Sequence, residues 1–200
     1  MNEQLFQSIN QWAGHFAWLD EPMILLTKYA PLLFAGLLLW LWLRGGRQRE
    51  RNVLYAAITA ALALLINQLI GAVYFHPRPF MLHAVHQLVP HAPDNSFPSD
   101  HATGAFALAV AVYLRNRKWG YGMLGLAVAI AFSRVFVGVH YPADVIGGAV
   151  VGLVSSLLVA RGERVLEPMI RVVLRVYAKI AGRVPFLAER YVLDEETRVG

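Results

Sequence analysis

The sequence predicts an all-α integral membrane helical bundle of about five transmembrane helices, with an N-terminal interfacial helix and a C-terminal amphipathic helix. Three observations carry that expectation. Of the 200 residues 57% are hydrophobic and 16% charged, and the mean hydropathy is +0.47, outside the usual range of a water-soluble domain. Apolar runs long enough to cross about 30 Å of hydrocarbon alternate with short basic turns. The basic residues also gather on one side of those runs, as the positive-inside rule requires of a multi-pass protein.

Residues 1–22 carry Phe6, Ile9, Trp12, Phe16 and Trp18 at roughly helical intervals among polar residues, which predicts a helix lying in the interface. Met23 to Leu43 is the first span, with Lys28 and Pro31 in its first turns. A basic loop at 44–51 leads to the second span, Val53 to Phe75, in which Asn67 and Gln68 are expected to hydrogen-bond between helices. Residues 76–98 are rich in proline and lack a helical period, so they form a long loop of the kind that often carries function. Ala102 to Leu114 is short for a span even when extended back to Ser99, as suits a helix that begins partway into the protein at a site. A second basic turn at 115–118 precedes the span from Trp119 to Val139. Tyr141-Pro142 opens the last span, proline being tolerated in a first turn, and Gly147, Gly148 and Gly152 permit close helix contact there. Val165 to Ala181 places Arg171, Arg175 and Lys179 at fourth positions, an amphipathic helix suited to an anionic leaflet. Residues 1–182 are expected to form one domain and 183–200 a polar tail.

The chain has no cysteine, which excludes disulfides and thiol catalysis. Its net charge of +5 reflects span flanks and not a nucleic-acid surface. The first twenty residues lack a basic n-region and a small-residue cleavage site, so the first apolar helix is expected to direct insertion. Of the 18 Lys and Arg residues, four lie at 44–51, three at 115–118 and eight beyond residue 160. Those segments are therefore expected to be cytoplasmic, which puts Arg78, residues 99–101, Arg134 and His140 together at the outer ends of the spans.

Three segments thereby converge: His76-Pro77-Arg78-Pro79, Phe97-Pro98-Ser99-Asp100-His101, and Ser133-Arg134 through His140 to Asp144. Ionisable residues at membrane depth are costly and point to function. Guanidinium forks match phosphate oxygens, and Ser99 with the N–H groups after it stands at a helix N-terminus, favourable for an anion. His140 and Asp144, four apart, can share a face, so that the carboxylate holds one ring nitrogen and frees the other to attack. His101, from another helix, is placed to give a proton to a departing oxygen and then to activate water. His83, His86, His91 and Asp94 with His76 fit no standard metal-ligand spacing, and no metal or cofactor is expected.

At these residues the sequence resembles the type 2 phosphatidic acid phosphatase superfamily, and in particular the bacterial bacitracin-resistance undecaprenyl-diphosphate phosphatases. The family's Ser-Arg-x5-His-x3-Asp segment is complete in Ser133 to Asp144. Its Pro-Ser-Gly-His segment matches at Pro98, Ser99 and His101 with Asp100 in place of glycine. Its Lys-x6-Arg-Pro segment keeps Arg78-Pro79 but has Gly71 at the lysine position. The resemblance implies a multi-pass enzyme of the bacterial cell membrane, with its site on the periplasmic or extracellular face and a polyprenyl diphosphate lipid as substrate. It also implies His140 as nucleophile, Asp144 orienting it, and His101 as general acid and then base, with Arg78, Ser99 and Arg134 holding the phosphoryl oxygens. His76 is the candidate to replace the missing lysine, and Asp100 is expected to cap the third span with its side chain turned from phosphate. The alternatives are another lipid phosphate as substrate, phosphatidic acid or phosphatidylglycerol phosphate, or a non-catalytic lipid-binding or transport protein.

Overall fold

The computed structural model describes residues 1–44 and 46–181, and apart from one isolated bridge between Pro77 and Asn95 their regular elements are helices. Helix α1 spans Asn2–Asn10 and α2 spans Ala17–Leu43. The single interfacial helix expected over 1–22 is thus divided. Gly14 takes φ +82°, a conformation L side chains rarely adopt, and the chain turns there and starts the first long helix earlier than Met23. Helix α3, Arg47–Val73, likewise begins inside the expected basic loop, so Arg47, Arg49 and Arg51 ride on its first turns.

A short α4, Pro79–Leu82, interrupts the long loop. Then follow α5, Asp100–Tyr113; α6, Arg117–Phe136; α7, Pro142–Arg161; and the amphipathic α8, Glu163–Ala181. The tail expected at 183–200 lies outside the described residues. Helices α2, α3, α6 and α7 are long and apolar enough to cross a membrane. Helix α5, with 14 residues, covers only about 21 Å at 1.5 Å per residue. It is the short helix the sequence leads one to expect, and it packs against α7, α6 and α3.

That central packing depends on small residues. Ala102, Ala105, Ala107, Ala109 and Ala111 of α5 are buried. A Cβ on Gly148 would stand 2.8 Å from the Ser99 carbonyl oxygen, and one on Gly152 2.7 Å from the Ala107 nitrogen. Only glycine lets the α7 backbone lie this close, and the closeness lets the Ser99 N–H donate to the Asp144 carbonyl at 3.1 Å. Leu32, Leu39, Leu65, Leu69, Ile146 and Val150 point outward, an apolar surface that suits lipid.

The C-terminus of α2, both ends of the α5–α6 turn, the N-terminus of α3 and the C-terminus of α7 share one end of the bundle, with the basic residues. The other end collects the C-termini of α3 and α6, the N-termini of α5 and α7, and the 74–99 loop. Asn10 ties α1 into it, its Nδ2 donating to the carbonyls of His86 at 2.9 Å and Phe136 at 2.8 Å while its Oδ1 accepts from the His86 N–H at 2.9 Å. The chain then leaves α6 through Gly138, at φ +84°, whose missing Cβ would lie 2.8 Å from the His86 oxygen. This turn folds residues 139 and 140 back, so that both N–H groups donate to the Arg134 carbonyl, at 3.2 and 3.3 Å.

Candidate active site

The three segments predicted to converge do so around His140, which is 2% exposed. The Pro77–Asn95 bridge zips the His76–Arg78 strand to residues 94–96, with the Ser96 N–H donating to the His76 carbonyl at 2.8 Å. Ser96 is thereby set between the histidine and the aspartate. Its Oγ donates to Asp144 Oδ2 at 2.5 Å and lies 3.2 Å from His140 Nδ1. The direct distance from Nδ1 to Asp144 Oδ2 is 3.6 Å, too long for a hydrogen bond.

Asp144 thus lies beside the ring expected to be held by it, with Ser96 bridging the two. His140 precedes the helix and does not share its face, and Asp144 Oδ2 also accepts the Tyr141 N–H at 2.8 Å as the capping contact of α7. The connection runs instead from Nδ1–H to Ser96 Oγ and from its hydroxyl hydrogen to Asp144. That order places the lone pair on Nε2. Burial pushes the His140 imidazole down to about 3, against the opposing pull of Asp144, so the ring is neutral near pH 7.

Arg78 is 5% exposed and fully engaged. Its Nη1 donates to the Val139 carbonyl and stands 3.0 Å from His140 Nε2, its Nη2 donates to the Asn95 carbonyl at 3.0 Å, and its Nε meets Asp94 Oδ1 at 2.6 Å. A ligand that engaged this guanidinium would have to take the place of Asp94 or of the Nε2 contact. Arg134 differs, being 2% exposed with Nε and Nη2 unpartnered among the described residues. The buried Ser99 Oγ is unpartnered as well. Leaving a guanidinium and a hydroxyl buried without acceptors costs several kcal/mol, a cost that an anion bound there would offset. His101 lies within electrostatic reach of Arg78, Arg134 and His91. His91 stacks edge-on to His140 with ring centroids 6.3 Å apart, and burial lowers the pKa of His91 below the ordinary histidine value.

Two readings of the flanking residues change. Asp100 does not cap α5, whose N-cap is Ser99 with no side-chain cap bond. Its Oδ1 accepts instead from Asn67 Nδ2 at 2.6 Å, and the same amide donates to the Pro98 carbonyl at 2.9 Å while its oxygen accepts from Thr103 Oγ1 at 3.0 Å. Asn67 is thus the interhelical hydrogen bonder expected of it. His76 places Nδ1 3.5 Å from Asp144 Oδ1, beside the carboxylate, which is not the position of the lysine it was expected to replace. At that position a Cβ on Gly71 would lie 3.0 Å from Asn95 Nδ2. The absent side chain makes room for Asn95, whose Oδ1 accepts the His76 N–H at 2.7 Å. Gly71, Arg78, Asp94, Asn95 and Asp100 line a cavity of about 320 Å³.

Sequence reasoning missed Ser96 and Asn95. Ser96 stands two residues before Pro98 with no spacing to mark it, and its partners lie 44 and 48 residues away. Ser133, inside the motif, turns out to join helices, with its Oγ 2.8 Å from Thr27 Oγ1 and donating to the Ile130 carbonyl.

Undecaprenyl-diphosphatase BcrC of Bacillus subtilis is 44% identical over 92% of this chain and 95% of its own length. The protein named bacitracin transport permease protein BcrC in Bacillus licheniformis is 32% identical over 92% of this chain and 91% of its own. The crystal structure of Aquifex aeolicus LpxE superposes with a TM-score of 0.70 at 24% identity, covering 80% of this chain and 94% of that one, which shows the shared fold. Residues 52–165, from within α3 into the start of α8, match the family model of the PAP2 superfamily, and the chain belongs to that superfamily.

Proposed function

We propose that the protein removes the terminal phosphate from undecaprenyl diphosphate, leaving undecaprenyl phosphate and inorganic phosphate, and that it does so through a phosphohistidine on His140. The chain is a multi-pass membrane lipid phosphatase of the PAP2 superfamily; the substrate and the covalent step are the proposal. The observation that carries it is a buried His140 held through Nδ1 by the Ser96–Asp144 relay, with Arg78 Nη1 3.0 Å from its Nε2, in a site where Arg134 and Ser99 also keep unpartnered donors. The substrate is supported by the name of the Bacillus subtilis relative at 44% identity.

In this mechanism Nε2 attacks the terminal phosphorus as the bond to the bridging oxygen breaks, and His101 delivers a proton to that oxygen. Water then attacks the phosphorus, giving its proton to His101, and the P–N bond breaks. Arg134, Ser99 and Arg78, once Asp94 has moved, hold the equatorial oxygens, where positioning and electrostatics supply most of the acceleration. Asp144 and Ser96 stabilise the cationic ring that forms. Release of the carrier lipid from its diphosphate at the outer face would return it to cell-wall synthesis and favour resistance to bacitracin.

The test is phosphate release by wild type and His140→Ala from a panel of undecaprenyl diphosphate, phosphatidic acid and phosphatidylglycerol phosphate. A loss of at least about 10³-fold in kcat is expected for the variant, with acid-labile phosphate trapped on the wild-type protein alone. Undiminished turnover by His140→Ala sinks the mechanism, and a clear preference for a glycerolipid sinks the substrate assignment.

A further inference from the structure

A cavity outside the site lies at the opposite end of the bundle, between the first turns of α3 and the middle of α8. It has a volume of about 360 Å³ and is lined by Arg47, Gln48, Arg51, Glu167, Arg171, Leu174 and Arg175. Four arginines thus surround one carboxylate, and that carboxylate is already committed. Glu167 pairs with Arg51 at 2.5 Å and Arg171 at 2.8 Å and accepts the Tyr55 hydroxyl at 2.9 Å. Among the described residues Arg47 and Arg175 form no ion pair, Arg175 Nε reaching only the Arg171 carbonyl at 3.3 Å. The N-terminus of α3, with no side-chain cap, adds its positive dipole end to the same space.

The setting of α8 identifies the kind of anion. One stripe of the helix, Leu166, Ile170 and Leu174, packs on Tyr55 and Val159. A second stripe, Val165, Met169, Val172, Val176 and Ile180, is between 49% and 82% exposed, an apolar row that lies in acyl chains when the helix rests in the interface plane. The arginine stripe, residues 171 and 175, lies beyond the packed one, so the cavity opens at headgroup depth. Trp42 against Tyr177, ring centroids 4.9 Å apart, fixes the helix to the end of α2.

We infer that this cavity binds the phosphate headgroup of an anionic glycerophospholipid from the leaflet opposite the active site. Its guanidinium groups bond the phosphate oxygens while the acyl chains lie along the exposed row of α8. The site is independent of the proposed reaction.

The full-length protein in neutral detergent is titrated with short-chain phosphatidylglycerol, short-chain phosphatidylcholine and inorganic phosphate, with binding read by native mass spectrometry and by the rise in Tm. Phosphatidylglycerol is expected to bind at least about tenfold tighter than phosphatidylcholine. Arg47→Gln combined with Arg175→Gln lowers that affinity about tenfold, and Lys179→Gln, on the same helix outside the cavity, changes it less than about twofold. Arg175→Gln alone, at an exposed position, serves if the double variant does not unfold cooperatively. Equal binding of the two lipids overturns the inference, as does phosphatidylglycerol affinity indifferent to the arginine substitutions. Inorganic phosphate bound as tightly as phosphatidylglycerol, and equally sensitive to those substitutions, would make this a soluble-anion site. A tenfold gain in phosphatidylglycerol affinity on removal of residues 182–200 would overturn the inference by making the C-terminal segment the occupant.

Discussion

Ser96 is the residue whose role is least expected from its neighbours in the chain. It passes a hydrogen bond from His140 Nδ1 to Asp144 Oδ2, so it sets both the tautomer and the aim of the ring without touching substrate. Ser96→Ala is expected to lower kcat about 10- to 100-fold with little change in KM, and Ser96→Thr, which keeps the hydroxyl, to recover part of the loss. Equal falls in kcat and thermal stability across both variants would reduce Ser96 to a packing role. The His140 ring gives a pH prediction with a definite sign. Its pKa is depressed to about 3 by burial, so below pH 6.5 the unfolded chain binds a proton that the folded one excludes. Stability is therefore lost as pH falls, by about 2 kcal/mol between pH 7 and pH 5. A Tm–pH profile of His140→Gln should be flatter than that of wild type over this range. At this scale the sequence made legible the residues that share fixed spacings, Arg134, His140 and Asp144, and the two motifs that approach them. It could not show Ser96, Asn95 or the Asp94 carboxylate on Arg78, because those contacts arise from a proline-rich loop pairing with distant segments and leave no periodic trace.

Among the elements, α5 and its neighbours determine where the site stands. Asn67 joins α3 to the start of α5 through Pro98, Asp100 and Thr103, one amide meeting three partners. Asn67→Leu leaves those groups unpaired in a buried setting and is expected to cost about 2–3 kcal/mol, visible as a lower Tm in detergent. It should also reduce activity, since the same residues carry Ser99 and His101. The helices themselves were legible from apolar runs and basic turns. Their starts were not, since α2 and α3 each begin in a polar stretch before the apolar run, at Ala17 and Arg47. Helix formation continues through polar residues as long as the backbone bonds persist, whereas an apolar run marks only the part facing lipid or core. The replacement of the family glycine by Asp100 was misread for a related reason. A residue at a helix start suggests a cap, but the helix already had Ser99 there and a neighbouring helix offered a better donor.

For the molecule as a whole, the distribution of charge and the placement of the site agree. The arginines of the α2–α3 and α5–α6 turns gather at one end and the His140 cluster at the other, so an orientation assay tests both together. The chain lacks cysteine, and Ala92→Cys, in the loop over the site, is expected to react with a membrane-impermeant maleimide in intact cells. Lys118→Cys, at the basic end, should react only after permeabilisation; the reverse pattern would invert the proposed topology. The all-helical bundle and its two accessory helices were readable because a bilayer permits few architectures. The packing of α5 by α7 was readable only as a run of glycines, without the partner each one faces.

The shortness of α5 has a consequence for the physical chemistry of the reaction. With the basic end of α5 set at one headgroup plane, a helix of about 21 Å in a hydrocarbon layer of about 30 Å would leave its first turn several ångströms beneath the opposite plane of lipid phosphates. On the proposed function, the phosphoryl group would then descend to reach Ser99 and His140, shedding part of its hydration shell before any bond is broken. Membrane thickness thereby enters the rate as a variable in its own right. A thicker bilayer lengthens the descent, and a thinner one brings the anion to the floor of the cleft with less work.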